Sequence, residues 1–230
     1  MELPWFLIVG GLAAVAVLGR WAYQSWAHNR RLASLPIRIH VNGIRGKSTG
    51  TFAAVIDPEG EDVPIVRRGA PTILEQIEVA NEWITPEVDA WIVECMALKP
   101  AYQRISEERI VQSTIGVLTN VREDHQDVMG ETLPEIARSL LSTCPTDGLL
   151  ITSEQNPEII QIMDDVAGDM GTQLLVADPD WVTDDDIARF EYIAFKENIA
   201  IGLAVAKELG IDRDTACLLY TSDAADEFCH

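Results

Sequence analysis

The fold is decided by the stretch Arg38-Ile-His-Val-Asn-Gly-Ile-Arg-Gly-Lys-Ser-Thr49. Apolar and polar residues alternate over residues 37–41, and this alternation predicts a β-strand. Beyond the strand, Gly43 and Gly46 lack a Cβ atom, so the backbone can turn tightly and bring its N–H groups against an anion. The stretch therefore predicts a strand that runs into an anion-binding loop.

Lys47 and Ser48 make this turn a candidate phosphate-binding loop. Lysine supplies a cation and serine a hydroxyl, which are the groups that a bound nucleotide phosphate and its Mg²⁺ require. The match to the full Walker pattern is incomplete, because that pattern has glycine where this chain has Val41. An ordinary glycine turn with an exposed lysine is the alternative, and the stretch by itself leaves it open.

The composition restricts the classes of partner. With 230 residues the chain is long enough to bury one sizeable core. Its formal net charge of -20 argues against nucleic acid as the main partner, since phosphate neutralisation needs a basic face. The cysteines form neither a Cys-x-x-Cys pair nor a metal-ligand spacing, which predicts reduced thiols in the cytosol. They are Cys95, Cys144, Cys217 and Cys229.

An uncharged apolar run over residues 3–19 precedes the loop, and Arg30 and Arg31 follow it. Its length is at the short end of a bilayer span and predicts an N-terminal transmembrane helix. A cleaved signal peptide is the alternative, but its positive charges would precede the apolar run. The arginines predict that the rest of the chain faces the cytoplasm. We therefore expect a single-pass anchor over residues 1–27, a juxtamembrane linker over residues 28–36, and localisation at the cell membrane.

Beyond the loop, apolar runs alternate with helix signals. Strands are predicted within residues 63–66, 90–93, 110–118, 149–152 and 173–177. Helices are predicted at residues 49–56, 73–84, 132–144 and 198–209, and two more are predicted to begin at Asn156 and at Thr183. Thr132 with Glu135 forms a capping box, and Asn156 is an N-cap followed by proline. Strands that alternate with helices predict an α/β fold with an open, mostly parallel sheet.

Candidate catalytic and metal-binding residues follow the predicted strands. Glu94 ends one strand, and residues 123–127, Glu-Asp-His-Gln-Asp, follow another. In open parallel sheets ligands collect at the carboxyl ends of the strands, so these groups should converge with the loop at Gly43. Carboxylates and an imidazole suit a metal ion or general-base chemistry. A salt-bridged structural glutamate and a solvated acidic loop are the alternatives, and both stay open.

Three motifs in this order resemble one known family. They are His40-Val-Asn-Gly-Ile-Arg-Gly-Lys-Ser-Thr49, Val93-Glu-Cys-Met-Ala97 and Asn120-Val-Arg-Glu-Asp-His-Gln-Asp-Val-Met-Gly130. Together they resemble the membrane-associated ATP-dependent subunit of poly-γ-glutamate synthase, a relative of the Mur ligases and folylpolyglutamate synthases. The resemblance implies a phosphate-loop sheet of the Mur ligase central-domain type over residues 37–214, preceded by the transmembrane helix.

The resemblance also implies site residues, with ATP and Mg²⁺ as cofactors. The implied catalytic residues are Lys47, Glu94 and His125, and the implied metal ligands are Ser48, Glu94 and His125. The implied nucleotide-binding residues are Asn42, Gly43, Gly46, Lys47, Ser48, Thr49, Asn120 and Asn198. Asp124 would line the same cleft.

In this family ATP phosphorylates a terminal carboxylate, and the amino group of the next glutamate attacks the acyl phosphate. The implied partners are glutamate, the poly-γ-glutamate chain and other membrane subunits of the synthase. Because the acidic chain repels a polyanion overall, a local cation is needed, and Arg67 and Arg68 are the candidates. Surface solubility explains these two arginines almost as well.

The chain departs from the family pattern after the loop and at its end. The crossover is expected to be shorter by about a helix and a strand, with an acidic turn at residues 57–60, and residues 215–230 match no family sequence and form an atypical tail. The family's C-terminal domain is not expected within the chain. A membrane-anchored nucleotide-binding or scaffold protein without catalysis is therefore the alternative function. Folate or cell-wall precursor ligation uses related chemistry, but the predicted anchor argues against it.

Overall fold

A computed structural model describes residues 5–44, 54–56, 62–64, 73–85, 87–188 and 195–216. The helices are α1 (Trp5–Ser34), α2 (Ile73–Trp83), α3 (Pro100–Ile105), α4 (Gln126–Met129), α5 (Leu133–Leu140), α6 (Pro157–Asp169), α7 (Asp184–Ala188) and α8 (Lys196–Glu208). The strands are β1 (Ile37–Asn42), β2 (Ala54–Ile56), β3 (Asp62–Pro64), β4 (Ala90–Glu94), β5 (Ile115–Leu118), β6 (Leu149–Thr152) and β7 (Gln173–Val176). A π-helix, Ser106–Val111, continues α3, and short 3₁₀ turns lie at Leu141–Thr143 and Pro179–Trp181.

A parallel sheet in the order β4-β1-β5-β6-β7 forms the centre of the fold. Its register pairs Val41 with Glu94, Asn42 with Leu118, and Leu118 with Thr152. The last residues of these strands therefore lie along one carboxyl edge of the sheet. Strands β2 and β3 form a separate antiparallel pair. The predicted α/β fold with a mostly parallel sheet is confirmed.

One face of the sheet is covered by α5 and α6. Leu118 and Leu150 of the sheet pack against Ile136 and Leu140 of α5 and Met163 of α6 in one buried cluster. Burial of an aliphatic side chain of this size stabilises the fold by about 1.5–3 kcal/mol. These contacts fix the helices that follow β5 and β6, and with them the loops at the carboxyl edge.

The opposite face is covered by α8. Ile39, Val117 and Ile151 of the sheet pack against Ala200 and Ala204, whose small side chains let the helix approach closely. All four residues of β5 are buried, as expected for a central strand with helices on both faces. The core therefore has two layers, one on each side of the sheet.

The C-terminal part of α1 belongs to this fold. Leu32 and Leu35 are buried against Ala80 and Ile84, and the buried His28 Nε2 lies 2.7 Å from the Ile110 carbonyl oxygen. The helix runs without interruption through residues 28–34, where the sequence predicts a linker. Long-range packing of these side chains, which a single-sequence pattern does not contain, extends the helix into the domain.

The N-terminal part of α1 presents its apolar side chains to solvent. Val15, Leu18 and Trp21 are each at least 63 % exposed. In the part of the chain that the structure describes, no helix combines the length and the apolar character that a membrane crossing requires. The predicted transmembrane anchor over residues 1–27 is not supported.

The local signals at the starts of α5 and α6 are confirmed. Thr132 and Glu135 form the reciprocal capping box, and the Asn156 side chain accepts a hydrogen bond from the Glu158 backbone N–H. The prediction of a helix over residues 49–56 is wrong for residues 54–56, which form β2 instead. β-Branched Val55 and Ile56 favour the extended backbone.

Candidate active site

A cavity of about 270 Å³ opens at the carboxyl edge of the sheet. The residues that line it come from the turn after β1, from the segment after β4 and from the loop and helix after β5. They are Gly43, Ile44, Glu94, Met96, Leu98, His125 and Met129. Three predicted site residues that are far apart in sequence, Gly43, Glu94 and His125, thus face one space.

Gly43 begins the candidate phosphate loop in a backbone conformation that other residues avoid. Its φ is +140°, and a Cβ atom added to it would overlap Thr119 Oγ1. The Thr119 N–H donates to the Asn42 carbonyl at 3.0 Å, and the Ile44 N–H donates to the Asn120 carbonyl at 3.4 Å. The loop therefore begins in close contact with the end of β5, and only glycine fits at position 43.

The other loop residues lie outside the described part of the chain. These are Gly46, Lys47, Ser48 and Thr49, together with Arg67 and Arg68. Their predicted roles stay predictions.

Asn42, which the resemblance implies as a nucleotide-binding residue, has its side chain in the protein interior. It is fully buried, and its side-chain NH₂ lies within hydrogen-bonding distance of Gln103 Oε1, the Leu140 carbonyl and Thr143 Oγ1. Its side-chain oxygen accepts the Gly43 N–H at 2.8 Å. Because its amide is occupied by protein groups, Asn42 holds the start of the loop, and its predicted contact with the nucleotide has no support in this geometry.

His125 is held towards the cavity by an unusual backbone. Its φ of 49° is left-handed, a region in which histidine is found more often than most residues. The Asp124 carboxylate accepts the His125 backbone N–H at 2.8 Å, and it also lies 3.8 Å from His125 Nδ1. Asp124 therefore orients His125, although it is not among the residues that line the cavity.

Two further predicted nucleotide-binding residues, Asn120 and Asn198, do not line the cavity. Asn120 is bonded through its carbonyl oxygen to the Ile44 N–H, so it connects the candidate loop to the end of β5. Asn198 lies in the first turn of α8 and is half-buried, and it is not a lining residue of the cavity.

A buried polar pair, His40 of β1 and Glu107 of the π-helix, was not predicted from the sequence. His40 is fully buried, and its Nδ1 donates to Glu107 Oε2 at 2.7 Å, while Glu107 Oε1 accepts both the N–H and the hydroxyl of Ser113. Burial lowers the pKa of His40, but the neighbouring Cys95 and Glu107 outweigh it and together raise the pKa to about 9. The only sequence signal was a histidine at the centre of an apolar strand.

Glu154, just beyond β6, is a second residue that the sequence did not single out. Its carboxylate accepts hydrogen bonds from the backbone N–H groups of Val121, Gln155 and Asn156, and it forms an ion pair with Arg122 at 3.3 Å. It thereby ties the loop that leads to His125 to the start of α6.

The cavity suits a divalent cation that arrives with a nucleotide. Glu94 provides carboxylate oxygens and His125 an imidazole nitrogen on the same space. Magnesium is commonly bound by one or two carboxylates, with substrate phosphates and water completing the shell. Among the described residues no group of three or more His, Cys, Asp and Glu side chains forms a metal site, and the single carboxylate of Glu94 fits this mode of binding.

Comparison with known proteins gives relatives by sequence and by structure. No family model matches the chain. The chain is 37% identical over 233 residues to the capsule biosynthesis protein CapB of Bacillus anthracis, covering 91% of this chain and 50% of that protein. It is also 37% identical over 235 residues to the PGA synthase CapB of Bacillus subtilis strain 168, covering 92% of this chain and 58% of that protein. The chain thus spans about half the length of these curated relatives.

Solved structures share the fold at low identity. E. coli FolC in complex with DHPP and ADP has a TM-score of 0.56 at 16% identity, covering 86% of this chain and 60% of that one. An FPGS–AMPPCP complex has a TM-score of 0.51 at 14% identity, covering 87% of this chain and 67% of that one. These structures agree with the expected folylpolyglutamate synthase-like fold. By sequence, the chain is thus similar to a capsule biosynthesis protein and to a PGA synthase, both named CapB, over about half of their length.

Proposed function

We propose that this chain carries the nucleotide-binding part of an ATP-dependent ligase that joins glutamate residues through γ-amide bonds in poly-γ-glutamate synthesis. The observation that supports it most directly is the convergence of Gly43, Glu94 and His125 on one cavity. A glycine turn, a carboxylate and an imidazole suit nucleotide phosphates and a divalent cation. The identity to a PGA synthase supports polyglutamate as the product.

The proposed cofactors are ATP and Mg²⁺. Gly46, Lys47, Ser48 and Thr49 are proposed to hold the ATP phosphates, with the loop positioned by its close contact at Gly43. Glu94 and His125 are proposed to hold the cation. When bound, the cation supplies positive charge next to the transferred phosphoryl group.

In the proposed reaction the terminal carboxylate of the growing polymer attacks the γ-phosphorus of ATP, which gives an acyl phosphate and ADP. The amino group of the next glutamate then attacks the acyl carbon, forms the amide bond and displaces phosphate. Phosphoryl transfer of this kind depends on positioning and charge neutralisation more than on covalent help from the protein. Lys47 is the residue proposed to neutralise the phosphates.

Binding of Mg·ATP, measured by calorimetry, tests the proposal. We expect a binding heat for the wild type and for Lys207→Ala, a lysine substitution at the end of α8, and none for Lys47→Ala. Since removal of the loop lysine takes away the charge that faces the phosphates, equal binding by Lys47→Ala would contradict the proposed site. Failure of the wild type to bind would contradict the function itself.

Glutamate-dependent turnover separates the ligase from its alternative. ADP release that requires glutamate supports the ligase. Nucleotide binding without such release favours a nucleotide-binding or scaffold protein that does not catalyse the reaction.

Membrane subunits as partners and localisation at the cell membrane also stay predictions. The exposed apolar side chains of residues 9–26 of α1 are the feature on which they depend. Fractionation with an alkaline wash tests the localisation, and release of the protein into the soluble fraction would contradict it.

A further inference from the structure

Gln103 of α3 is a fully buried polar residue that the proposed reaction does not use. A buried side-chain amide lowers the stability of a fold unless its groups are hydrogen-bonded. Gln103 has a partner at each end of its amide. Its Oε1 accepts a hydrogen bond from Asn42 Nδ2 at 2.9 Å, and its Nε2 donates to the Leu98 carbonyl oxygen at 2.9 Å. The side chain therefore connects the end of β1 with the segment that follows β4.

Asn42 extends this connection to the start of the candidate phosphate loop. Its Oδ1 accepts the Gly43 N–H at 2.8 Å, while its Nδ2 faces Gln103. The two backbone groups at the ends fix the direction of each hydrogen bond between them, because the Gly43 N–H can only donate and the Leu98 carbonyl can only accept. Two side-chain amides thus link Gly43 to Leu98 in a single orientation. We call Asn42 and Gln103 the amide bridge.

The amide bridge ends on two sides of the cavity. Gly43, which follows β1, and Leu98, in the segment after β4, are both lining residues. The sheet holds the start of that segment, where the Cys95 N–H donates to the Val41 carbonyl at 2.7 Å. Leu98 lies beyond the sheet, where the Gln103 side chain holds its carbonyl. The bridge therefore joins the loop side of the cavity to the side formed by the segment after β4.

We propose that Gln103 is a positioning residue of the nucleotide site, which keeps Leu98 at a fixed distance from the turn at Gly43. This inference rests on the proposed function, because it takes both sides of the cavity to hold one bound nucleotide. Gln103 is fully buried and does not line the cavity, so it acts through Asn42 and Leu98. A cavity whose sides are already in place binds its ligand more tightly than one that is ordered only on binding.

Gln103→Met and Thr143→Val are a matched pair of variants. Thr143 is also buried, and its Oγ1 is another acceptor for the Asn42 side-chain NH₂, at 3.1 Å. Each substitution removes one acceptor of Asn42 and leaves the other, and the Leu140 carbonyl is a further partner in both variants. The two hydrogens of the Asn42 NH₂ can therefore stay bonded in both. Gln103→Met alone also removes the donor to Leu98.

The affinity for Mn·AMPPNP is the first measurement. The dissociation constant is determined for the wild type and both variants, each shown to be folded by circular dichroism. Ordering one flexible side chain on binding weakens affinity by about 2- to 10-fold. We expect a loss of this size for Gln103→Met and none for Thr143→Val. Equal loss in the two variants would overturn the inference, because both lack an acceptor of Asn42 and only one lacks the bond to Leu98.

Hydrogen exchange without nucleotide distinguishes positioning from a general loss of stability. We expect faster exchange of residues 96–99 in Gln103→Met than in the wild type and Thr143→Val, with unchanged exchange in the central strand β5. Unchanged exchange of residues 96–99 would overturn the positioning role whether or not nucleotide binds, and equally faster exchange in β5 would also overturn it. A wild type that fails to bind Mn·AMPPNP overturns the proposed function instead.

The wild type provides a measurement that serves if Gln103→Met does not fold. Nuclear magnetic resonance follows exchange of the side-chain NH₂ hydrogens of Gln103 and of Gln161, an exposed glutamine that donates to Asp165 at 2.9 Å. We expect slower exchange for Gln103, because its NH₂ is bonded to the Leu98 carbonyl and its side chain is buried. Equal exchange rates for the two glutamines would overturn the inference.

Discussion

Raising the pH is expected to remove the stabilisation that the buried His40 contributes to the fold. The pKa of His40 is raised from 6.5 to about 9 in the folded chain, because Cys95 and Glu107 outweigh the effect of burial. A group whose pKa is higher in the folded state holds its proton more tightly there. Its contribution is therefore complete below pH 6.5 and is lost as the pH rises through about 9.

The size of the effect follows from the two pKa values. Each pKa unit corresponds to about 1.4 kcal/mol of free energy. The interval from 6.5 to about 9 then gives a loss of about 3–4 kcal/mol in the free energy of unfolding. A domain is typically stable by about 5–15 kcal/mol, so a loss of this size is readily measured.

Urea denaturation followed by tryptophan fluorescence, in reducing buffer, measures the loss. The free energy of unfolding is measured for the wild type, His40→Gln and His28→Gln at about pH 6 and about pH 10. These two pH values lie on either side of the interval between the two pKa values. We expect the wild type and His28→Gln to lose about 3–4 kcal/mol more than His40→Gln does. The same pH dependence in His40→Gln and the wild type would refute the assignment of this stabilisation to His40.

Three other substitutions test the geometry of the site and its supports by urea denaturation. Gly43→Ala should destabilise the fold by about 2 kcal/mol or more, because the new Cβ atom meets Thr119 in a left-handed backbone. Its control, Gly168→Ala, has open space around a helical glycine and should stabilise by about 0.5–1 kcal/mol. Thr132→Ala should lower the free energy of unfolding by about 1 kcal/mol, because α5 loses its N-cap, and an unchanged urea midpoint would contradict this. Glu154→Gln should cost about 1–3 kcal/mol and speed hydrogen exchange of residues 119–125, and unchanged exchange there would contradict its role.

Features with local causes were predictable from the sequence. The cap of α5 needs only Thr132 and Glu135, three residues apart, and the turn at Gly43 needs only a residue without a Cβ atom. The convergence of Glu94 and His125 was predictable for another reason. Both follow strands of one parallel sheet, and such strands end at the same edge.

Features that depend on long-range contacts were not predictable. Glu107 is 67 residues from His40 in sequence, and only the packed π-helix brings the two together. Asn42 illustrates the same limit, because its motif position suggested a ligand contact, whereas partners up to 101 residues away occupy its amide. Tertiary packing likewise extends α1 through residues 28–34.

The most direct test of the nucleotide site is a crystal structure of the chain with Mn·AMPPNP, with the manganese located by its anomalous scattering. We expect one manganese peak in the cavity, within coordination distance of the Glu94 carboxylate and the His125 imidazole, with the phosphates against the turn at Gly43. Nucleotide bound with its manganese away from both side chains, or no nucleotide at this edge of the sheet, would contradict the proposed site.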